Sequence, residues 1–313
     1  MWSRVDEAAH YDVIAQYAAG VYPHDSVTTI RPETLQVMQQ TGVYGFVVDN
    51  SYQRPDAGLQ AMPPGLSDAE HVLWIRRHGW QYSYEAFQPP LYYALALPAW
   101  KIGDLLGGAM GALYGVRIFD ALLAALLAPL ALLIALRLWP ANPGAGWGAA
   151  VLTAAMPGVD ANLTSVTNDV LVAVLGALTL VVATGGRPTL RRAALLGLLL
   201  GAAMLAKTTA IALVPAVSVA LLWRPRGGGL RPFLLAVAIA GVVVTPWIAS
   251  NLSLYGEVIT TTVTTTDKFT QRGKPFLQML LDFRNERSSL KARWWCSLIL
   301  PATRADVARF ATA

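Results

Sequence analysis

The residues with the means to do chemistry are few, and they stand at the edges of apolar runs. Asp6 and Glu7 come first with His10 close behind, then Glu85, Gln88 and Tyr92, then Arg117, Asp169 and Lys207. Adjacent carboxylates accept protons from hydroxyls, and a lysine and an arginine stabilise an oxyanion as it departs. Together these types suit a reaction that deprotonates a hydroxyl and expels a phosphate. Metal chemistry has less to work with. The single cysteine, Cys296, excludes an internal disulfide and any cysteine-based metal site, and the four histidines lack ligand spacing. Each candidate also has a plainer reading. Asp6 and Glu7 suit the first turn of a helix, and His10 suits a surface. Asp169 or Asn168 would cap a helix starting near Val170, and Lys207 would snorkel to an interface.

These residues need elements to position them, and the composition says which kind. Of 313 residues 55% are hydrophobic and 14% charged, with mean hydropathy +0.44. A soluble domain carries roughly a quarter charged residues. The expectation is an all-α, polytopic transmembrane helical bundle, a multi-pass protein of a prokaryotic plasma (inner) membrane. The net charge of +5 comes with arginines gathered between apolar runs, which is a topology signal rather than a nucleic-acid footprint. No signal peptide is visible.

Three regions follow. Residues 1–88 are polar and broken by prolines, and read as an extracytoplasmic loop segment with short amphipathic helices at Asp6–Tyr17 and Asp68–His78. Residues 89–250 form the membrane bundle. It opens at Gln88-Pro89-Pro90, where prolines suit a first helical turn, and Tyr92 and Tyr93 stand at headgroup level. Its apolar runs are Leu91–Leu106, Ala121–Leu136, Ala145–Val159, Val170–Ala183, Ala193–Ala206, Ala210–Trp223 and Phe233–Ala249. Lys101 and Asp104 interrupt the first, so it is expected to be re-entrant or interfacial. Residues 251–313 form an extracytoplasmic or interfacial segment, with a strand at Val258–Thr266, a short helix at Phe276–Phe283 and Trp294-Trp295 at the membrane surface. Arg187, Arg191 and Arg192 in one connection and Arg224, Arg226 and Arg231 in another mark the cytoplasmic side. The outer side then collects Asp6, Glu7, His10, Glu85, Gln88, Arg117, Asp169, Lys207 and Asn251.

The order of these motifs resembles a known family. Asp6-Glu7-Ala-Ala-His10-Tyr11 and Glu85-Ala-Phe-Gln-Pro-Pro-Leu-Tyr-Tyr93 resemble the membrane glycosyltransferases of the GT-C fold. More narrowly they are similar to the branch of protein O-mannosyltransferases and lipid A aminoarabinose transferases. The likeness continues through Arg117, Pro157…Asn168-Asp169, Leu205-Ala-Lys207 and Pro246-Trp-Ile-Ala-Ser-Asn251…Tyr255-Gly256, over roughly residues 4–256. It implies an inverting transferase that takes a sugar from a polyprenyl-phosphate donor and passes it to a hydroxyl of a glycan, lipid or protein on the outer face. By the resemblance Asp6 is the general base, and Glu7 and Gln88 hold acceptor or sugar hydroxyls. Arg117 and Lys207 bind the lipid phosphate, while His10, Glu85, Tyr92 and Asp169 complete the substrate site. No cofactor beyond the lipid-linked sugar is implied, and the need for a divalent metal is left open. The family carries a membrane helix before the Asp-Glu pair and several after the Tyr-Gly motif. The chain is therefore expected to be a fragment, a sequence with a misplaced start, or a shortened relative.

Two other classes compete. A transporter or flippase would place polar residues at mid-membrane depth, whereas these runs are almost purely Ala, Leu, Val and Gly inside. A non-catalytic scaffold derived from such an enzyme is the third reading. Asn162-Leu-Thr164 and Asn251-Leu-Ser253 match the glycosylation sequon, a pattern common by chance.

Overall fold

The computed structural model describes residues 7–23, 28–41, 83–156, 163–187, 189–222, 229–256 and 258. Among these the chain is mostly helical and contains no strand. Asp6, the helix expected at Asp68–His78, and nearly all of the C-terminal segment with its expected strand and helix lie outside the described residues.

Two short helices lead. α1 (Glu7–Ala18) buries Tyr11, Val13, Ile14 and Ala15. α2 (Pro32–Gln40) begins on Pro32 after an extended Arg31, the arrangement that suits proline's fixed φ and missing N–H. Sequence patterning gave no helix there. Its anchor is Asp12, fully buried in α1, which accepts from the Arg31 N–H at 2.8 Å and the Thr34 hydroxyl at 2.9 Å. Burial pushes the Asp12 carboxyl above its ordinary range, against the lowering effect of these bonds.

α3 (Leu91–Ala125) starts directly after Pro89-Pro90. It is two helical arms. Gly107 (φ −155°) and Gly108 (φ 59°, ψ −153°) leave helical geometry, and only glycine adopts the second conformation readily. The chain reverses there. A Cβ on Gly103 would strike the Gly111 carbonyl, and one on Gly115 would strike that of Ala99, so the arms are antiparallel with backbones in contact. At the far end of the second arm Leu126 keeps helical angles (φ −74°, ψ −17°), and α4 (Leu127–Leu138) continues from it. The first arm therefore runs away from the Arg137 end of α4.

α5 (Pro143–Ala154) folds back on α4, with Gly146 against Leu132 and Leu136, and the Asn142 side chain accepts from the Ala145 N–H. α6 (Asp169–Thr184) packs on α4 through Leu130, Val174 and Val181. α7 (Leu190–Ala206) returns beside α6, starting from Thr189, whose hydroxyl accepts from the Arg192 N–H. A 3-10 turn (Thr208–Leu213) leads into α8 (Val214–Leu222). α9 (Leu230–Tyr255) then runs parallel to α7, with Gly197 on Ala236 and Gly201 on Ala240 and Val243. Gly256 (φ 73°) ends it in the left-handed conformation that closes helices.

Helix ends thus gather at two opposite poles. Arg137, Gly185 and Arg192 mark one, and Gln88, Asn168, Asp169 and Lys207 mark the other. Among the described residues two helical stretches are long and apolar enough to cross a membrane, Leu91–Leu138 and Leu230–Tyr255. The first includes the reversal, so its continuous part begins at Ala109. In their most apolar windows only 11% and 22% of residues are buried, which leaves the apolar surface facing outward.

Candidate functional site

The polar pole is assembled from segments far apart in sequence. α1 lies across both arms of α3. A hydrogen bond of 2.8 Å joins His10 Nδ1 to the Tyr93 hydroxyl, and the Tyr11 hydroxyl donates to the Ala109 carbonyl at 3.0 Å. Tyr11, Tyr92, Tyr93 and Trp100 pack into one core with Leu113, Val116 and Val170.

Glu7 sits inside this junction. Its side chain is 0% exposed, and Arg117 grips it with both ends of the guanidinium fork, Nε to Oε1 at 2.8 Å and Nη2 to Oε2 at 2.9 Å. The Val166 N–H adds a bond to Oε1 at 3.0 Å. One carboxylate therefore ties α1, the second arm of α3 and the loop before α6. The expected roles, Glu7 holding a hydroxyl and Arg117 a phosphate, meet two side chains already committed to each other. A bidentate, enclosed pair is among the stronger polar contacts available to a protein. Its direct chemical effect is to fix the residue next to Asp6 in the chain.

Around this anchor lie the other candidates. Tyr92 is fully buried and donates to Asp120 Oδ2 at 2.8 Å. Gln88 accepts from the Asn168 amide at a long 3.4 Å. Glu85 is buried in the 3-10 turn Tyr84–Phe87, and its Oε2 has no hydrogen-bond partner. Asp120 Oδ1 and Asn168 Oδ1 are buried without partners too. An unmatched buried acceptor costs about 1–3 kcal/mol, so this corner is the least satisfied part of the network. Asp120 and Asn168 were not among the sequence candidates. Asp120 lies one helical turn from Arg117, and that i, i+3 spacing was the available signal.

Lys207 and Asp169 close the pole. Lys207 follows the last residue of α7 in extended backbone, and its ammonium lies 2.5 Å from Asp169 Oδ1. Their side chains are 23% and 51% exposed, so the Asp169 carboxylate is open to solvent where that of Glu7, at 0%, is not. Neither Asn168 nor Asp169 caps α6 with its side chain; the Thr167 hydroxyl accepts from the Asp169 N–H at 3.2 Å instead. That leaves the Asp169 carboxylate available to Lys207. Asn251, grouped with this face by sequence, is buried near the end of α9 and donates to the Val258 carbonyl at 3.3 Å.

Glu7, His10, Tyr92 and Arg117 thus form one connected interior group, and Gln88, Asn168, Asp169 and Lys207 line the adjoining surface. Among the described residues no group of three or more His, Cys, Asp or Glu side chains is placed to hold a metal ion. Comparison with family models, with curated proteins and with solved structures gave no match.

Proposed function

We propose that the chain is a multi-pass membrane glycosyltransferase of the GT-C type. On this reading it transfers a sugar from a polyprenyl-phosphate donor to a hydroxyl acceptor at the outer surface, with inversion at the anomeric carbon. One observation carries the reading. Residues 7–10, 88–92, 117–120, 166–169 and 207, which hold the motifs that resemble that family, meet at a single pole of the helices, and arginines gather at the other. The outward-facing apolar windows of the two long helices support a membrane setting.

Roles follow from exposure. Glu7 and Arg117 anchor the start of α1, and Asp6, which precedes Glu7 in the chain, is the proposed base on the acceptor hydroxyl. Lys207, the more accessible cation, receives the donor phosphate as negative charge develops on it. Gln88 and Asn168 are placed for sugar hydroxyls. The test is transfer from a labelled polyprenyl-phosphate sugar in membranes, comparing Asp6→Asn with the parent at matched expression. Asparagine keeps the shape of the side chain but takes no proton, so the rate should fall roughly 100- to 10,000-fold. Residual transfer near the parent level removes Asp6 as the base. No transfer by the parent with any lipid-linked sugar favours the scaffold reading.

A further inference from the structure

We infer that the arginine pole, formed by Arg137, Arg187, Arg191, Arg192 and Arg231, binds the phosphate headgroup of an anionic phospholipid. This rests on the membrane reading above but concerns the end opposite the proposed transfer site. α6 stops at Gly185 in extended backbone (φ −76°, ψ 155°), which leaves its last carbonyls open. Two guanidiniums converge on them. Arg192 donates to the carbonyls of Val182 at 2.7 Å through Nε and of Ala183 at 2.8 Å, and also to that of Gly186, while Arg137 donates to that of Val181. A Cβ on Gly185 would stand 3.1 Å from Arg137 Nη1 and 3.7 Å from Arg192 Nη2, so both cations crowd one backbone position.

Carbonyl dipoles offset part of this charge. The segments meeting at this pole, residues 130–156, 177–187, 189–200 and 229–240, contain no Asp or Glu. Arg187, Arg191 and Arg231 are exposed beside the converging pair. Arg192 spends its donors on these carbonyls, so a phosphate goes to the exposed Arg187, Arg191 and Arg231, whose guanidinium forks match its oxygens and need no deep pocket. The surroundings favour a lipid over a soluble phosphate. Leu138, Leu190 and Leu230, each adjoining one of these arginines in sequence, are 50%, 60% and 62% exposed and offer contact to acyl chains. Trp139 and Trp147 at the same pole are 58% and 65% exposed, as side chains at a headgroup boundary are. Basic clusters between helices on the cytoplasmic side recognise headgroups in this way.

The test uses the full chain in nanodiscs of phosphatidylcholine and phosphatidylglycerol in equal parts, with co-purifying lipids counted by native mass spectrometry. Phosphatidylglycerol should be enriched, and Arg187→Gln/Arg191→Gln should cut that enrichment by about fivefold per arginine. Lys101→Gln, an exposed cation on α3, should leave it unchanged. Matching unfolding temperatures in phosphatidylcholine alone would show that the double variant is folded. Equal retention of the two lipids, or enrichment untouched by the double variant, overturns the inference and leaves the membrane reading standing. Stabilisation by glycerol phosphate in solution as strong as that by the lipid overturns the lipid as the source. Failure to enter phosphatidylcholine nanodiscs at all would instead refute the membrane reading on which the inference depends.

Discussion

Replacing Arg117 with methionine strips both guanidinium bonds, of 2.8 and 2.9 Å, from a carboxylate that is 0% exposed. The Val166 N–H still reaches Oε1 at 3.0 Å, but one neutral donor does not replace a full counter-charge. Breaking a buried ion pair by removing one partner costs about 3–5 kcal/mol. The Arg117 side chain is 18% exposed, and the solvent it touches weakens the pair, so the lower end, about 3 kcal/mol, is expected. That is a large share of the roughly 5–15 kcal/mol that holds a domain together. Glu7→Gln should cost less, since glutamine still accepts from Val166 and Arg117 while Arg117 keeps some contact with water.

The double variant Glu7→Leu/Arg117→Met separates the pair from its setting. With neither charge present nothing is left buried and uncompensated, so its cost should fall below that of Arg117→Met alone. A full cycle of Glu7→Leu, Arg117→Met and the double variant, read by reversible unfolding in mixed micelles, should give a coupling of about 2 kcal/mol or more. Costs that simply add, or an Arg117→Met variant within about 1 kcal/mol of the parent, would refute the view that Glu7 is an anchor. Glu7 would then return to the set of groups that face a substrate.

Three further outcomes follow from particular contacts. Lys207→Met should weaken use of a polyprenyl-phosphate donor by about tenfold or more, the usual loss for a charge-assisted bond; measured donor KM checks it, and an unchanged value assigns Lys207 to the interface. Gly111→Ala should destabilise the arms of α3 by about 1–3 kcal/mol, because its Cβ meets the Gly103 backbone, whereas Gly107→Ala, with nothing within 4 Å, should be tolerated; thermal unfolding of the two variants side by side decides. Burial raises the Asp12 carboxyl above its unfolded value of about 3.9. Its contribution is therefore fullest below that pH and declines as pH rises through the raised folded value. Hydrogen exchange across α1 and α2 should show that slope, and Asp12→Asn should flatten it.

What the sequence made legible was what depends on neighbours in the chain. Pro89-Pro90 announces the start of α3, and the apolar runs foretell most of α4 to α9. The first turns of the second arm of α3 were not legible. Arg117 and Asp120 interrupt its hydropathy, so the next uninterrupted apolar run begins only at Ala121. Their partners, Glu7 and Tyr92, lie 110 and 28 residues away and match them inside the fold. No window along the chain contains such a match. α2 is hidden for the same reason, because its polar sequence is stabilised by Asp12, 19 to 22 residues earlier. The candidate site was legible as residue types on one face. Which carboxylate is spent on structure and which stays available depends on burial alone.

That division bears on how a charged donor would be received. At rest each of these two cations of the polar pole is matched, Arg117 by Glu7 and Lys207 by Asp169. A phosphate entering it must displace a carboxylate from one of the two cations. At Arg117 it would have to strip an enclosed pair and leave Glu7 buried and unmatched, at a cost of several kcal/mol. At Lys207 it displaces Asp169, which is 51% exposed and returns to water with little penalty. On the proposed reading the phosphate therefore goes to Lys207, and Asp169 acts as the counter-ion it replaces. Asp169→Asn should then tighten donor binding, since Lys207 would no longer hold a competing charge, and the gain should shrink as salt screens the exposed pair. Weaker donor binding by Asp169→Asn would mean that Asp169 holds Lys207 in place for the phosphate rather than competing with it.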